Sequence, residues 1–158
     1  MLNTTQRESQ LNDVGIYPIQ QCIDAAIQQC NLTQEENARI SIENVESLYF
    51  KGSLSLVTHV LMNLIQNAFK YAGNEAQINI WCNDHILFVV DYGKGIESDI
   101  LPNLFNRFYT EGKIGTGLGL AFCRAVMEDL GGSIRCQSVL GKYTEFALIF
   151  PKFQKEDI

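Results

Sequence analysis

Leu54-Ser55-Leu56-Val57-Thr58-His59-Val60-Leu61-Met62-Asn63-Leu64-Ile65-Gln66-Asn67-Ala68-Phe69-Lys70-Tyr71 is the stretch on which the fold turns. Val57, Val60, Leu61, Leu64, Ile65 and Ala68 fall on one face at helical spacing, so an amphipathic helix opens after Ser53 and runs to Tyr71. Asn63, Asn67 and Lys70 stand at i, i+4 and i+7 and form a second, polar row. A solvated stripe accounts for such a row by itself. Asparagine is nonetheless a mediocre helix former, and its amide oxygen is the kind of hard ligand that Mg²⁺ takes. Lys70, one turn further, is placed to meet the phosphates that such an ion shares.

Outward from this helix the pattern alternates. Upstream, Ile19, Cys22, Ile23, Ala26, Ile27 and Cys30 recur at helical spacing behind Pro18 and predict a first helix. Ala38 to Glu43 and Ser47 to Lys51 read as short strands before Gly52. Downstream, Ala76 to Cys82 and Ile86 to Asp91 read as a hairpin turned at Asn83-Asp84-His85. A loop punctuated by Gly93 and Gly95 follows, then a short helical segment over Leu101 to Phe108 and a lid-like stretch from Tyr109 to Gly115. Leu118 to Leu130 reads as a helix stopped by Gly131-Gly132. Ser133 to Ser138 and Tyr143 to Phe150 supply two last strands, turned by Gly141 and ended by Pro151.

The sum is an α+β, two-layer sandwich: helices on one face of a mixed, mostly antiparallel sheet of about five strands, with the other sheet face left to solvent. Residues 1–13, polar and without period, read as a linker; residues 14–152 form the domain and 153–158 a tail.

The 158 residues suffice for one core that buries about 68–70% of the unfolded surface, and no apolar run approaches the roughly 20 residues of a membrane span. Twelve basic against eighteen acidic residues give a net charge of −6, which repels a phosphate backbone. Nucleic acid and direct membrane contact are therefore not expected, and an anionic ligand requires a local site of cations, amides or metal. Cys22, Cys30, Cys82, Cys123 and Cys136 form no C-x-x-C pair and lie mainly inside apolar patterns, as free thiols of a reducing compartment do. With no signal or transit pattern at the start, the expected compartment is the cytoplasm, and the sequons at Asn3 and Asn31 are chance.

Two further clusters can carry chemistry. Gly115-Thr116-Gly117-Leu118-Gly119-Leu120 lies where a loop becomes a helix, and its free amides and helix dipole favour an anion. It is neither a Rossmann fingerprint nor a Walker loop, and taken alone such a cluster is more often a plain helix start. Asp91-Tyr92-Gly93-Lys94-Gly95-Ile96 sets a carboxylate at the end of an apolar strand. Either it closes an Asx turn, or it accepts a hydrogen bond from an exocyclic amine such as adenine N6 while the glycines admit the flat ring. Guanine would present an acceptor there and be repelled.

In this order the elements resemble the catalytic ATP-binding domain of bacterial sensor histidine kinases, in the GHKL superfamily shared with DNA gyrase, MutL and the large heat-shock chaperones. Asn63 to Tyr71 is similar to the N box and Asp91 to Ile96 to the G1 box. Leu104-Phe105-Asn106-Arg107-Phe108-Tyr109 is similar to the F box and Gly115 to Leu120 to the G2 box. The likeness runs from about Tyr17 to Pro151.

The resemblance implies a Bergerat fold that holds ATP between the helices and a lid. It implies Asn67 as Mg²⁺ ligand with Asn63 near the phosphates, Lys70 on phosphate and Tyr71 lining the nucleotide. Asp91 would read adenine beside Gly93, Gly95 and Ile96, helped through water by Thr144 of Gly141-Lys142-Tyr143-Thr144-Glu145-Phe146. Phe105 and Phe108 would anchor the lid or simply fill the core, and amides over Gly115, Thr116, Gly117, Leu118 and Gly119 would cradle phosphate. The lid, only Thr110 to Ile114 between Tyr109 and Gly115, is short. That leaves Lys113, with Arg107, as basic candidates for the γ-phosphate. A short lid is similar to that of some quorum-sensing hybrid kinases.

Hydrolytic members of the superfamily carry Glu where this chain has Asn63, which cannot take a proton. The resemblance thus implies phosphoryl transfer to a histidine on a separate helical-hairpin dimerisation and phosphoacceptor domain, and from there to a response regulator. His59 precedes Asn63 in a His-x-x-x-Asn pattern but sits in the ATP-binding helix and reads as an ordinary surface histidine; His85 belongs to a turn. The alternatives are an ATPase switch, or an interaction module that keeps the fold without nucleotide.

Overall fold

The structure, a computed structural model, describes residues 13–73, 75–106 and 119–152. In chain order its elements are β1 (Val14–Pro18), α1 (Ile19–Gln29), α2 (Gln34–Ala38), β2 (Ile40–Glu43), β3 (Tyr49–Ser53), α3 (Leu54–Tyr71), β4 (Ile78–Asn83) and β5 (Ile86–Asp91). A 3₁₀ turn at Leu101–Asn103, α4 (Gly119–Asp129), β6 (Ser133–Val139) and β7 (Tyr143–Ile149) complete them.

The sheet is five-stranded in the order β2-β4-β5-β7-β6, with β2 parallel to β4 and every other pair antiparallel. The α+β architecture expected of the sequence is the observed one. Ile78, Ile80, Leu87, Val89, Phe146 and Leu148 alternate onto the inner face and meet Ile19, Ile23, Val57, Leu61, Leu64 and Ile65 from α1 and α3. Burying residues of this kind contributes about 1.5–3 kcal/mol each, so this layer contact dominates stability. On the outer face Trp81 and Phe88, paired across β4 and β5, stack at 4.4 Å between ring centroids.

Four details differ from the sequence reading. The strand expected at Ser47 to Lys51 is Tyr49–Ser53, because its partner is β1, a strand the reading assigned to no element; the two form a separate two-stranded sheet. Ala38 ends a short helix and does not begin β2: Thr33 and Glu36 form a capping box that nucleates α2. Of the expected segment Leu101 to Phe108, the described residues, to Asn106, are helical over Leu101–Asn103, with Pro102 inside the turn. Asp13, placed in the linker, is tied into the fold. Its carboxylate accepts from Ser53 Oγ at 2.7 Å and from the Ser55 amide and hydroxyl at 2.8 and 2.6 Å. With Ser53 accepting from the Leu56 amide, these bonds satisfy donors at the start of α3.

Candidate functional site

Asp91 closes β5 and lies opposite Thr144 of β7; both are buried, Asp91 to 7% exposure. The one hydrogen bond to its carboxylate among the described residues comes from the Gly93 amide, 3.1 Å away. Burial, against that single donor, raises the Asp91 carboxyl to about 6. A carboxylate that is buried and, among the described residues, without a cation and mostly unused as an acceptor fits a ligand that brings donors. The Asx turn that the sequence allowed is present, and it leaves acceptor capacity on the carboxylate.

The loop after β5 is wedged between two pieces of backbone. A methyl group on Gly95, whose φ is +73°, would fall 2.3 Å from the Val139 carbonyl oxygen. The Gly141 amide donates to the Lys94 carbonyl, and Ser138 Oγ accepts from the Ile96 amide at 2.7 Å while donating to the Tyr143 carbonyl at 2.7 Å. Ser138 Oγ is also 3.2 Å from Thr144 Oγ1. Ser138 thus links the loop to the floor beside Asp91, a role no sequence pattern signals because its partner lies 42 residues away.

On α3 the apolar face predicted from sequence is buried, and Asn63, Asn67 and Lys70 lie off it. Asn63 faces the start of α4: a methyl on Gly119 would meet its Oδ1 at 3.1 Å. Asn67 is half-buried, and among the described residues its amide has no side-chain hydrogen bond. An amide oxygen without a partner among the described residues, on the helix edge beside Lys70, fits the hard-ligand chemistry of Mg²⁺. Lys70 and Lys94 each place Nζ 5.8 Å from the centroid of the Tyr71 ring. Two cations therefore gather on one aromatic side chain in a protein of net charge −6, as an anion site requires. Lys94 was not among the residues singled out from sequence.

Phe105 packs edge-on against Phe146 at 6.2 Å and touches the core. Arg107, Phe108, Lys113, Gly115, Thr116, Gly117 and Leu118 lie outside the described residues. His59 is exposed on α3 with its ring 4.8 Å from that of Phe122, as an ordinary helix histidine. All five cysteines are free thiols, and burial pushes Cys22 up to about 11 and Cys82 and Cys136 up to about 12, so none is a ready nucleophile.

A helix layer carrying Asn63, Asn67 and Lys70 over a mixed sheet whose strand ends in a buried Asp is the frame of one class of ATPase domain. The family model described as histidine kinase-, DNA gyrase B- and HSP90-like ATPase matches residues 52–154, and the chain belongs to that family. Curated relatives of the chain include sensor proteins. The CAI-1 autoinducer sensor kinase/phosphatase CqsS of Vibrio cholerae is 41% identical over 124 residues, 75% of this chain and 18% of that protein. The sensor protein SrrB of Staphylococcus aureus is 44% identical over 103 residues, 59% of this chain and 18% of that protein. The chain thus spans about a fifth of the length of these relatives. The catalytic domain of histidine kinase ThkA superposes with a TM-score of 0.70 at 24% identity, covering 87% of this chain and 97% of that one. The mycobacterial sensor histidine kinase MprB gives 0.65 at 18%, covering 89% and 99%. These two likenesses establish the fold.

Proposed function

We propose that the chain is the catalytic domain of a sensor histidine kinase, binding Mg-ATP and presenting its γ-phosphoryl group to a histidine on a separate helical-hairpin domain. The observation that carries the reading is Asp91: a buried carboxyl with one donor among the described residues, on the sheet beneath the helix that holds Asn67. Asp91 accepts from the exocyclic amine of adenine, and Thr144 and Ser138 define the polar floor beside it. Lys70 and Lys94 neutralise phosphate, and Asn63 and Asn67 orient it. The Asn67 amide oxygen would hold Mg²⁺, which would supply charge neutralisation at the phosphate oxygens. The attacking imidazole nitrogen forms the N–P bond as the bond from the γ-phosphorus to the bridging oxygen breaks, and ADP leaves.

Asn63 favours transfer over hydrolysis, since an amide does not deprotonate water. The CqsS relative is named an autoinducer sensor kinase/phosphatase, which supports a parent of the quorum-sensing hybrid type that passes phosphate on to a receiver domain or response regulator. Among the described residues no helix is long and apolar enough to cross a membrane, and we place the domain on the cytoplasmic side of its parent.

The test mixes the chain with helical-hairpin domains of related kinases and γ-labelled ATP. Label appears on histidine, acid-labile and base-stable, only when both proteins and Mg²⁺ are present. Rapid Mg²⁺-dependent ATP hydrolysis by the chain alone, without transfer, overturns the kinase assignment in favour of an ATPase switch.

A further inference from the structure

Arg39 stands between α2 and β2, far in sequence from every residue named above as a site residue. Its guanidinium donates from Nε to the Ala76 carbonyl at 2.7 Å and from Nη2 to the Gly73 carbonyl at 2.6 Å, and it lies 5.0 Å over the Phe69 ring. Its own carbonyl accepts from the Ile78 amide at 2.9 Å. One side chain thus holds both ends of the connection that leaves α3, and also the aromatic residue of the last helical turn.

That connection sets the site. Ala72 follows Tyr71 directly, and Gly93 lies so close to it that a methyl on Gly93 would fall 2.3 Å from Ala72 Cα. The Tyr92 amide donates to the Gln77 carbonyl at 3.1 Å. Where the backbone of Ala72, Gly73, Ala76 and Gln77 lies therefore decides how Lys70 and Tyr71 stand relative to Asp91 and Gly93. Helix carbonyls at a C-terminus attract a cation, and Gly73, at φ +95°, supplies the left-handed residue that turns its carbonyl outward. A planar fork reaches two carbonyls and stacks at once; a lysine ammonium does neither as well.

We propose that Arg39 is a positioning residue of the nucleotide site, fixing the spacing between the phosphate-facing end of α3 and the adenine-facing loop after β5. The inference rests on the nucleotide reading above. It acts through Phe69, Gly73 and Ala76 without touching the ligand.

The experiment compares ADP affinity, by calorimetry well below each melting temperature, in the unaltered chain and in Arg39→Met, Arg39→Lys and Ile42→Ala. Ile42 lies on β2, the edge strand that follows Arg39, and makes none of these bonds, so it reports the effect of a truncation on that edge alone. Arg39→Met is expected to weaken ADP binding about tenfold, Arg39→Lys to recover less than half of that loss on a logarithmic scale, and Ile42→Ala to leave affinity within twofold. In amide NMR spectra the Tyr71 and Gly93 resonances shift in Arg39→Met and not in Ile42→Ala. Equal affinity for Arg39→Met and the unaltered chain, or a loss matched by Ile42→Ala, overturns the inference. If Arg39→Met does not fold, Arg39→Lys decides: unchanged affinity and an unshifted Gly93 overturn it. Failure of the unaltered chain to bind ADP sinks the nucleotide reading itself, a separate result.

Discussion

Gly93 is pressed against Ala72: a β-carbon added at Gly93 would lie 2.3 Å from Ala72 Cα and 2.4 Å from its carbonyl oxygen. The obstacle is backbone, which cannot rotate away as a side chain can. The glycine here is required by proximity, because its φ is not in the left-handed region, whereas Gly95 is held both by φ +73° and by the Val139 carbonyl. Gly93→Ala should therefore force the loop off the end of α3 and cost about 1–3 kcal/mol, with a loss of ADP affinity of at least tenfold. Urea unfolding and calorimetric titration check the two parts. Unchanged affinity would mean that the loop and the helix end do not share a ligand.

Asp91 makes a pH prediction with a definite sign. Its carboxyl, ordinarily at 3.8, is raised by burial to about 6, so between those values the native state keeps a proton that the unfolded chain has lost. The stability this provides is full below about pH 4, falls as pH rises, and is gone above about pH 6. Asp91→Asn should remove that slope and leave the protein about 1–3 kcal/mol more stable at pH 8, since it replaces an unpaired buried charge. Binding runs the other way. Adenosine, which has no phosphate to titrate, should bind the ionised form and weaken about tenfold for each pH unit below the Asp91 value, and the asparagine variant should lose that dependence. A flat profile in the unaltered protein would remove Asp91 from the adenine contact.

Much of the fold was legible because periodicity and capping agree. The α3 helix announces itself through Val57, Val60, Leu61, Leu64 and Ile65, and it opens after Ser53 as read, with the Ser53 side chain accepting from the Leu56 amide. The β5 strand ends at Asp91 as read, and its register sets Asp91 opposite Thr144 of β7. What was not legible depends on partners distant in sequence. The β1 strand makes sense only beside β3, whose residues 49–53 lie a whole helix later. The capping box at Thr33 and Glu36 is a local signal, but α2 buries no residue and so shows no apolar stripe to go with it. Ser138 and Arg39 carry no motif: each acts on backbone more than 30 positions away, which only the folded chain brings near.

The Asn67 amide, without a hydrogen bond among the described residues, is free to turn its oxygen to a cation. Asn67→Ala should therefore leave adenosine affinity within twofold, while abolishing the increment in ADP affinity that Mg²⁺ gives over chelator. It should fold normally, being a helix-favouring change at a half-buried site. Titrations of ADP with Mg²⁺ and with EDTA measure the increment directly. An Mg²⁺ effect of full size in the variant would assign the metal to other ligands.

Ser138 separates fold from site in a different way. Its hydroxyl satisfies the Ile96 amide and the Tyr143 carbonyl together, and lies 3.2 Å from Thr144 Oγ1. Ser138→Ala strands a donor and an acceptor, at a cost of about 1–3 kcal/mol by thermal or urea unfolding. Because the loop from Asp91 to Ile96 loses its anchor at the Ile96 end while Gly93 stays held by Asp91, adenosine affinity should drop about fivefold to tenfold. Restoring a hydroxyl with Ser138→Thr should recover most of the stability and most of the binding, since threonine suits an edge strand. Recovery of stability without recovery of binding would show that the hydroxyl braces the strand pair alone and has no part in shaping the adenine floor.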